Sequence, residues 1–192
     1  YYPLCLQGWQ WYNSTSLNPR ESIINGQTFA TPSSADASVN GTYSIYLSVD
    51  NEIWRAGATP NKNVRGFLRT ASNPNVNHNF MTAYVDAGLR FSGFIPHRSH
   101  DVFGIAAAWG NLSPSFSNQV SQYNQYYAQN APIPTAESVI EITYLSPIEK
   151  WWSAQPFLQY IINPGGGTAN PNVPNQRISN ATVIGLRVAV SF

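Results

Sequence analysis

The sequence is poor in charged residues and holds a single cysteine. Charged residues make up 10% of the 192, and ten basic residues nearly balance nine acidic ones, for a net charge of +1. No basic patch is available for nucleic acid, so no nucleic-acid partner is expected. Cys5 alone forms neither an internal disulfide nor a cysteine metal motif, and no cofactor is expected. No run of about 18 apolar residues occurs, which excludes a membrane-spanning helix.

What the sequence does contain is an alternation of residue types with a period of two. The final segment, 180–192, is the clearest example. Its apolar face carries Thr182, Ile184, Leu186, Val188, Val190 and Phe192. Small residues and Arg187 occupy the other face. Such alternation predicts a strand with different surroundings on its two faces, and its length and terminal aromatic are typical of a transmembrane barrel strand.

Seven further segments repeat the pattern, which gives eight predicted strands in a single domain, 1–192. The eight are 7–14, 43–55, 64–71, 81–94, 102–111, 136–148, 151–163 and 180–192. Asn51 and Pro156 fit badly, because each falls on an apolar face and Pro156 removes a ladder donor. No helix, linker or second domain is expected.

The connections between these strands alternate in length. Segments 56–63, 95–100 and 149–150 are short, whereas 15–42, 112–135 and 164–179 are long, with 72–80 intermediate. Short turns at one end and long loops at the other are the arrangement of outer-membrane barrels. The sequence therefore predicts an all-β fold, an antiparallel transmembrane β-barrel with about eight strands in this chain.

Nearly every charge within a predicted strand falls on the polar face. The candidate pore-lining residues are Glu52, Arg65, Arg69, Asp86, Arg90, Glu137, Glu141 and Arg187. They are interpreted in two ways, both left open. They are solvated wall charges, some of them paired across strands, or a subset forms a constriction. Guanidinium and carboxylate groups can offer bidentate hydrogen bonds to sugar hydroxyls, beside Tyr46, Phe67 or Tyr84.

Several segments together resemble a known family. They read GTYSIYLSVDNEIWR, RGFLRT, YVDAGLRFSGFIPHRSHDVFGIAAAWG, AESVIEITYLSPIEKWWSAQPFLQYIINPGG and NATVIGLRVAVSF, in order within 41–192. They resemble the C-terminal half of the carbohydrate-selective porins of the OprB family. The resemblance implies a Gram-negative outer-membrane barrel of roughly 16 antiparallel strands through which sugars diffuse. On that basis, this chain is expected to be the second half of a longer protein.

The resemblance also implies the surroundings and partners. Mono- or oligosaccharides would be in transit, outer-membrane lipid and lipopolysaccharide would surround the barrel, and a homotrimer is an open arrangement. Alternatives are a general or other-solute channel and a soluble sugar-binding β-sandwich. No enzyme activity is expected. A barrel lipase would need a Ser–His pair, whereas His78, His97 and His100 all fall in connections.

Overall fold

A computed structural model describes residues 5–17, 23–24, 27–28, 39–57, 61–77 and 79–191. In this part of the chain, eight strands form one antiparallel sheet, each paired with the next along the chain. They are β1 (Cys5–Leu17), β2 (Val39–Arg55), β3 (Asn63–Ser72), β4 (Met81–Ser92), β5 (Val102–Leu112), β6 (Ala136–Glu149), β7 (Trp152–Ile162) and β8 (Ala181–Val190). Two short hairpins, Ile23–Ile24 with Gln27–Thr28 and Ala169–Asn170 with Val173–Arg177, lie outside the sheet.

All eight predicted strands are confirmed, with bounds that differ by a few residues. The two misfits are accommodated within strands. Asn51 lies opposite Gly66, and Pro156 lies opposite Leu186 of β8, whereas the pairing of β7 with β6 skips Pro156. Among the described residues, β1 pairs with β2 and β8 with β7, and these two edge strands do not pair with each other. The sheet is therefore open along both edges in the described part.

The sheet exposes its large apolar side chains instead of burying them. Within 41–57, 61–77 and 79–191, Leu112 is the only large apolar side chain that is buried, whereas Ile184 is 79% exposed and Leu186 64% exposed. A soluble sandwich buries such residues between two sheets. Exposure along one whole face is instead expected of strands that contact lipid.

The expectation of no helix is wrong. The connection between β5 and β6 contains the helix α1 (Pro114–Tyr126). Ser113 caps it by accepting a hydrogen bond from the Ser115 amide at 3.2 Å, and proline at the first helical position is favourable. No helix in the described ranges is both long enough and apolar enough to cross a membrane.

Ser113 also joins α1 to the neighbouring connection, 73–80. Its amide donates to the Phe80 carbonyl at 2.8 Å, and its hydroxyl donates to the Val76 carbonyl at 2.5 Å. The Phe80 and Phe116 rings pack with their centroids 4.6 Å apart. The start of α1 is therefore anchored to the end of the sheet where the long connections lie.

A glycine turn braces the third long connection against the same end. Gly165, Gly166 and Gly167 have φ values of 65°, 74° and 78°, a region that favours glycine. The Gly166 carbonyl accepts a hydrogen bond from the Thr135 amide at 2.8 Å. A Cβ atom at Gly166 would lie 2.4 Å from Leu112 Cδ1, so the close approach also requires glycine. The two connections are thus fastened together at the loop end.

The opposite end carries the short turns, and a buried carboxylate fixes one of them. Asp101 accepts a hydrogen bond from Arg98 Nε at 2.8 Å and another from the Tyr144 hydroxyl. Arg98 also donates to Ser146 Oγ at 2.8 Å. Arg98 and Asp101 belong to the segment GFIPHRSHD, which carries part of the family resemblance. The structure gives these two residues a role in holding the turn 93–101 against β6.

We predict that arginine will impair assembly at one position of β6 and be tolerated at the next. Ile142 is exposed on the apolar face, and Thr143 lies on the charged face at the same depth. Ile142→Arg would place a charge in hydrocarbon at a cost of roughly 2–4 kcal/mol, whereas Thr143→Arg would face water. The measurement is the fraction of full-length protein that reaches the heat-modifiable form in outer membranes. Equal assembly of both variants would contradict this assignment of faces.

Candidate functional site on the inner face of the sheet

The strand register brings most of the predicted site residues onto one face. Arg65 lies opposite Glu52 on β2 and Arg90 on β4, and Arg69 lies opposite Asp86. Residues directly opposite each other on neighbouring strands point to the same side of the sheet. We call this charged side the inner face and the apolar side the outer face.

A track of small residues on β5 runs across the middle of the inner face. Gly104, Ala106 and Ala108 alternate along the strand and leave a groove of about 380 Å³ above the sheet, which we call the inner groove. Its β3–β4 wall is formed by Phe67, Arg69, Asp86 and Arg90, and its β6–β7 wall by Glu141, Thr143 and Gln155. The small residues therefore create space between two walls in which polar side chains stand beside the apolar Phe67, Val139 and Leu145.

The β3–β4 wall is held by an ion pair between Arg69 and Asp86. Arg69 Nε lies 3.1 Å from each carboxylate oxygen, and Nη2 makes a further hydrogen bond to the same group. The Asp86 side chain is buried. The Arg69 guanidinium also lies 5.0 Å from the centre of the Phe67 ring, within the range of a cation–π contact. This planar donor group is thus fixed at the edge of the groove.

Arg90 differs from Arg69, because within the described part of the chain it forms no ion pair. The opposite wall is rich in amide and carboxylate groups. Glu141 accepts a hydrogen bond from Gln159 Nε2, and Gln155 Nε2 donates to Thr143 Oγ1 at 2.8 Å. The inner groove thus offers charged donors on one side and carboxylate and amide groups on the other.

The remaining four predicted site residues do not line this groove. Glu52 accepts a hydrogen bond at Oε1 from Arg55 Nε at 2.7 Å, and Arg65 donates a hydrogen bond to Asp50. Glu137 accepts a hydrogen bond from the Gly165 amide at 2.6 Å and so fastens the glycine turn to β6.

Arg187 lies on edge strand β8 opposite Gln155, outside the groove lining. A role for these four residues in a constriction stays a prediction.

Two features at the groove were not predicted from the sequence. Gln155, which lines the groove, and Gln159, which binds Glu141, alternate with apolar residues in the predicted strand 151–163 but are not among the candidate site residues. The small residues of β5 had no predicted role either, and their only signal was their recurrence at alternate positions. Of the aromatic candidates, Phe67 lines the groove, whereas Tyr46 and Tyr84 flank Ala71 closer to the loop end.

A second cavity lies behind the groove, on the outer face. It has a volume of about 590 Å³ and is lined by Asn51, Gly66, Ala87 and Ala107 among other residues. We call it the outer notch. The two cavities share Ala106, Ala107 and Leu89 among their lining residues, so they lie back to back.

Nothing in the described residues suggests a metal centre. The described part contains no group of three or more His, Cys, Asp or Glu side chains placed to hold an ion. His97 and His100 lie in the turn 93–101, and His78 lies outside the described residues.

The comparisons with known proteins agree with this architecture. A sequence model described as "Carbohydrate-selective porin, OprB family" matches residues 6–192. No curated protein sequence matches the chain. A solved structure, described as the high pH structure of Pseudomonas putida OprB, superposes with a TM-score of 0.87 at 21% identity. The match covers 100% of this chain and 45% of that one, so this chain spans less than half of the solved protein. At this identity the likeness shows the fold, an antiparallel outer-membrane barrel.

We predict that the two arginine–aspartate ion pairs of the inner face, Arg69–Asp86 and Arg65–Asp50, will differ in their contribution to stability. The Asp86 side chain is 6% exposed, whereas that of Asp50, the partner of Arg65, is 42% exposed. Arg69→Met would leave a buried carboxylate without its partner, at a cost of about 1–3 kcal/mol. The matched change Arg65→Met should cost less than about 1 kcal/mol. The measurement is the free energy of unfolding of the full-length protein in urea, and equal losses would contradict the assignment.

Proposed function

This chain belongs to the carbohydrate-selective porins of the OprB family, and we propose that its inner face forms part of the wall of a water-filled channel for sugars. In this proposal, mono- and oligosaccharides diffuse through the channel across the bacterial outer membrane. The observation that carries the proposal is the inner groove, where small residues leave room beside charged and amide side chains.

The chemistry of the groove suits a neutral solute with many hydroxyl groups. Arg90 can donate several hydrogen bonds from a planar group, and Glu141 can accept them on the opposite wall. Because the walls carry opposite charges, a neutral molecule is not repelled, and its hydroxyl groups can exchange water for protein partners. Binding must stay weak for the solute to leave, so we expect millimolar affinity, on the order of −4 kcal/mol.

The outer face fits contact with the lipid of the outer membrane. Its exposed side chains are the large apolar ones of every second position, such as Ile105, Ile140 and Leu158. Association of three barrels stays a prediction, which the mass of the detergent-solubilised full-length protein tests.

We predict that filling the groove will slow sugar passage. Ala106 lies opposite Glu141, so Ala106→Leu adds bulk on the inner face, whereas Ala107 lies opposite Ile140, so Ala107→Leu adds the same bulk on the outer face. The first change should reduce the rate of glucose-driven swelling of proteoliposomes severalfold, with a larger effect on bigger saccharides. Ala107→Leu should leave the rate unchanged.

The same assay with amino acids of similar size tests the alternative of a general channel. A sugar-selective channel admits glucose faster than these solutes, and equal rates would favour the general channel. If both leucine variants swell like the wild type, the groove is not on the solute path.

We predict that the charge of Arg90 sets ion selectivity and that its planar donor group binds glucose, and that substitution can separate these two effects. Arg90→Ala should change ion selectivity and weaken block of the current by glucose in planar bilayers of the full-length protein. Arg90→Lys keeps the charge and should restore only ion selectivity.

Arg187→Ala is the control, because it removes the same charge outside the groove lining and should leave glucose block intact. If glucose block is unchanged in both Arg90 variants, Arg90 is a solvated wall residue.

A further inference from the structure

The surface of α1 carries a cluster of three tyrosines that the groove and the packing of the sheet do not explain. Tyr123, Tyr126 and Tyr127 are 39%, 52% and 46% exposed. The rings of Tyr123 and Tyr127 are stacked, with centroids 5.8 Å apart and an angle of 11° between them. Tyr126 packs against Tyr127 nearly at a right angle, 83°, with centroids 4.9 Å apart. The cluster therefore presents aromatic surface in two directions.

These rings are not needed to anchor the helix. Contacts at the first turn do that, through Ser113, the Phe116 ring and the Ser117 hydroxyl, which donates to the Pro134 carbonyl at 2.6 Å. The tyrosines lie at the other end of α1. A contiguous group of exposed aromatic side chains held together by its own stacking marks an interaction surface.

The end of α1 is also held in place, so the cluster is a fixed platform. Asn124 donates through Nδ2 to the Ala131 carbonyl at 2.7 Å and accepts from the Ala131 amide at 3.0 Å. The Tyr127 amide donates to the Tyr123 carbonyl at 3.0 Å. Little conformational freedom of the backbone would therefore be lost when a ligand binds.

The chemistry around the rings indicates an uncharged ligand that forms hydrogen bonds. Residues 102–136 contain no Asp, Glu, Lys, Arg or His, so the connection itself offers an ionic ligand no opposite charge. Arg177 contacts it from another segment, where Nη2 donates to the Ile133 carbonyl at 3.3 Å. The exposed neighbours of the rings in sequence are the amides Gln125, Gln129 and Asn130. A sugar ring matches this surface, since its C–H face can pack on a phenol ring while its hydroxyl groups bond to amides.

We propose that the α1 tyrosines form a capture site for free neutral saccharides at the loop end of the sheet, separate from the inner groove. Capture at the tyrosines needs no channel, whereas the later entry of the captured sugar into the channel rests on the proposed function. A capture site speeds the entry of a saccharide into the channel from the loop side and its exit to that side by the same factor. The affinity of the inner groove for the saccharide is therefore unchanged.

The test measures block by a saccharide added to one side of single channels of the full-length protein. Tyr126→Ala/Tyr127→Ala should lower the association rate from the loop side about fivefold, which corresponds to about 1 kcal/mol. The rate from the turn side should not change. Tyr126→Phe/Tyr127→Phe retains the rings and should keep most of the wild-type rate.

Two controls make the comparison specific. Ile133→Ala removes an apolar side chain with similar exposure from the same connection and should have no effect. The loop side of each channel is identified by an impermeant thiol reagent that reaches Asn172→Cys in a Cys5→Ser background. Asn172 is exposed and lies in the short hairpin 169–177.

Each remaining outcome overturns a distinct claim. Wild-type channels that no saccharide blocks from either side would refute the proposed function. In that case saturation-transfer NMR with glucose and the solubilised protein tests the capture site. Loss of saturation transfer in the double alanine variant supports the capture site, and absence of transfer with the wild type overturns it. With block present, unchanged rates in the double variant, or equal losses from both sides, overturn the capture site. An effect seen only in bilayers with lipopolysaccharide overturns it in favour of a lipid contact.

Discussion

The constraint on which the structure depends is that backbone polar groups in hydrocarbon must find partners within the protein. Seven consecutive antiparallel pairings, from β1–β2 to β7–β8, meet that requirement for the six inner strands of the described sheet, and for one edge of β1 and of β8. Strand pairing in turn enforces alternation, because successive side chains point to opposite faces. The division into an apolar outer face and a charged inner face, and the placement of the described connections 73–77, 93–101 and 113–135 at the two ends of the sheet, are consistent with this requirement.

This is also why the strands could be predicted from the sequence while several other features could not. A charge on the wrong face is costly, so the period-two pattern is strongly marked, and even Asn51 and Pro156 did not hide it. The helix α1 had only a weak signal, the Ser113–Pro114 cap, within a composition rich in Asn, Gln and Ser. Cross-strand partners such as Arg69 and Asp86 depend on register, which composition does not reveal.

The inner face combines fixed and hydrated charges, and the difference follows from burial. Asp86 is buried and needs the bidentate contact with Arg69, which in turn fixes the position of the guanidinium beside Phe67. Arg90 has no ion pair among the described residues, and its donors remain available to water or solute. The wall therefore has a paired component that shapes the groove and, in the proposed channel, an unpaired donor group that can bind a passing solute.

The back-to-back position of the inner groove and the outer notch has an electrostatic consequence. At β5 the residues Ala106 and Ala107 are small on both sides of the sheet, so little more than one backbone layer separates water from hydrocarbon. A medium of low dielectric constant behind the charges strengthens their fields, and it admits no mobile ions to screen them from that side. In the proposed channel, the polarity that a solute meets in the groove is thus set partly by acyl chains that it never touches.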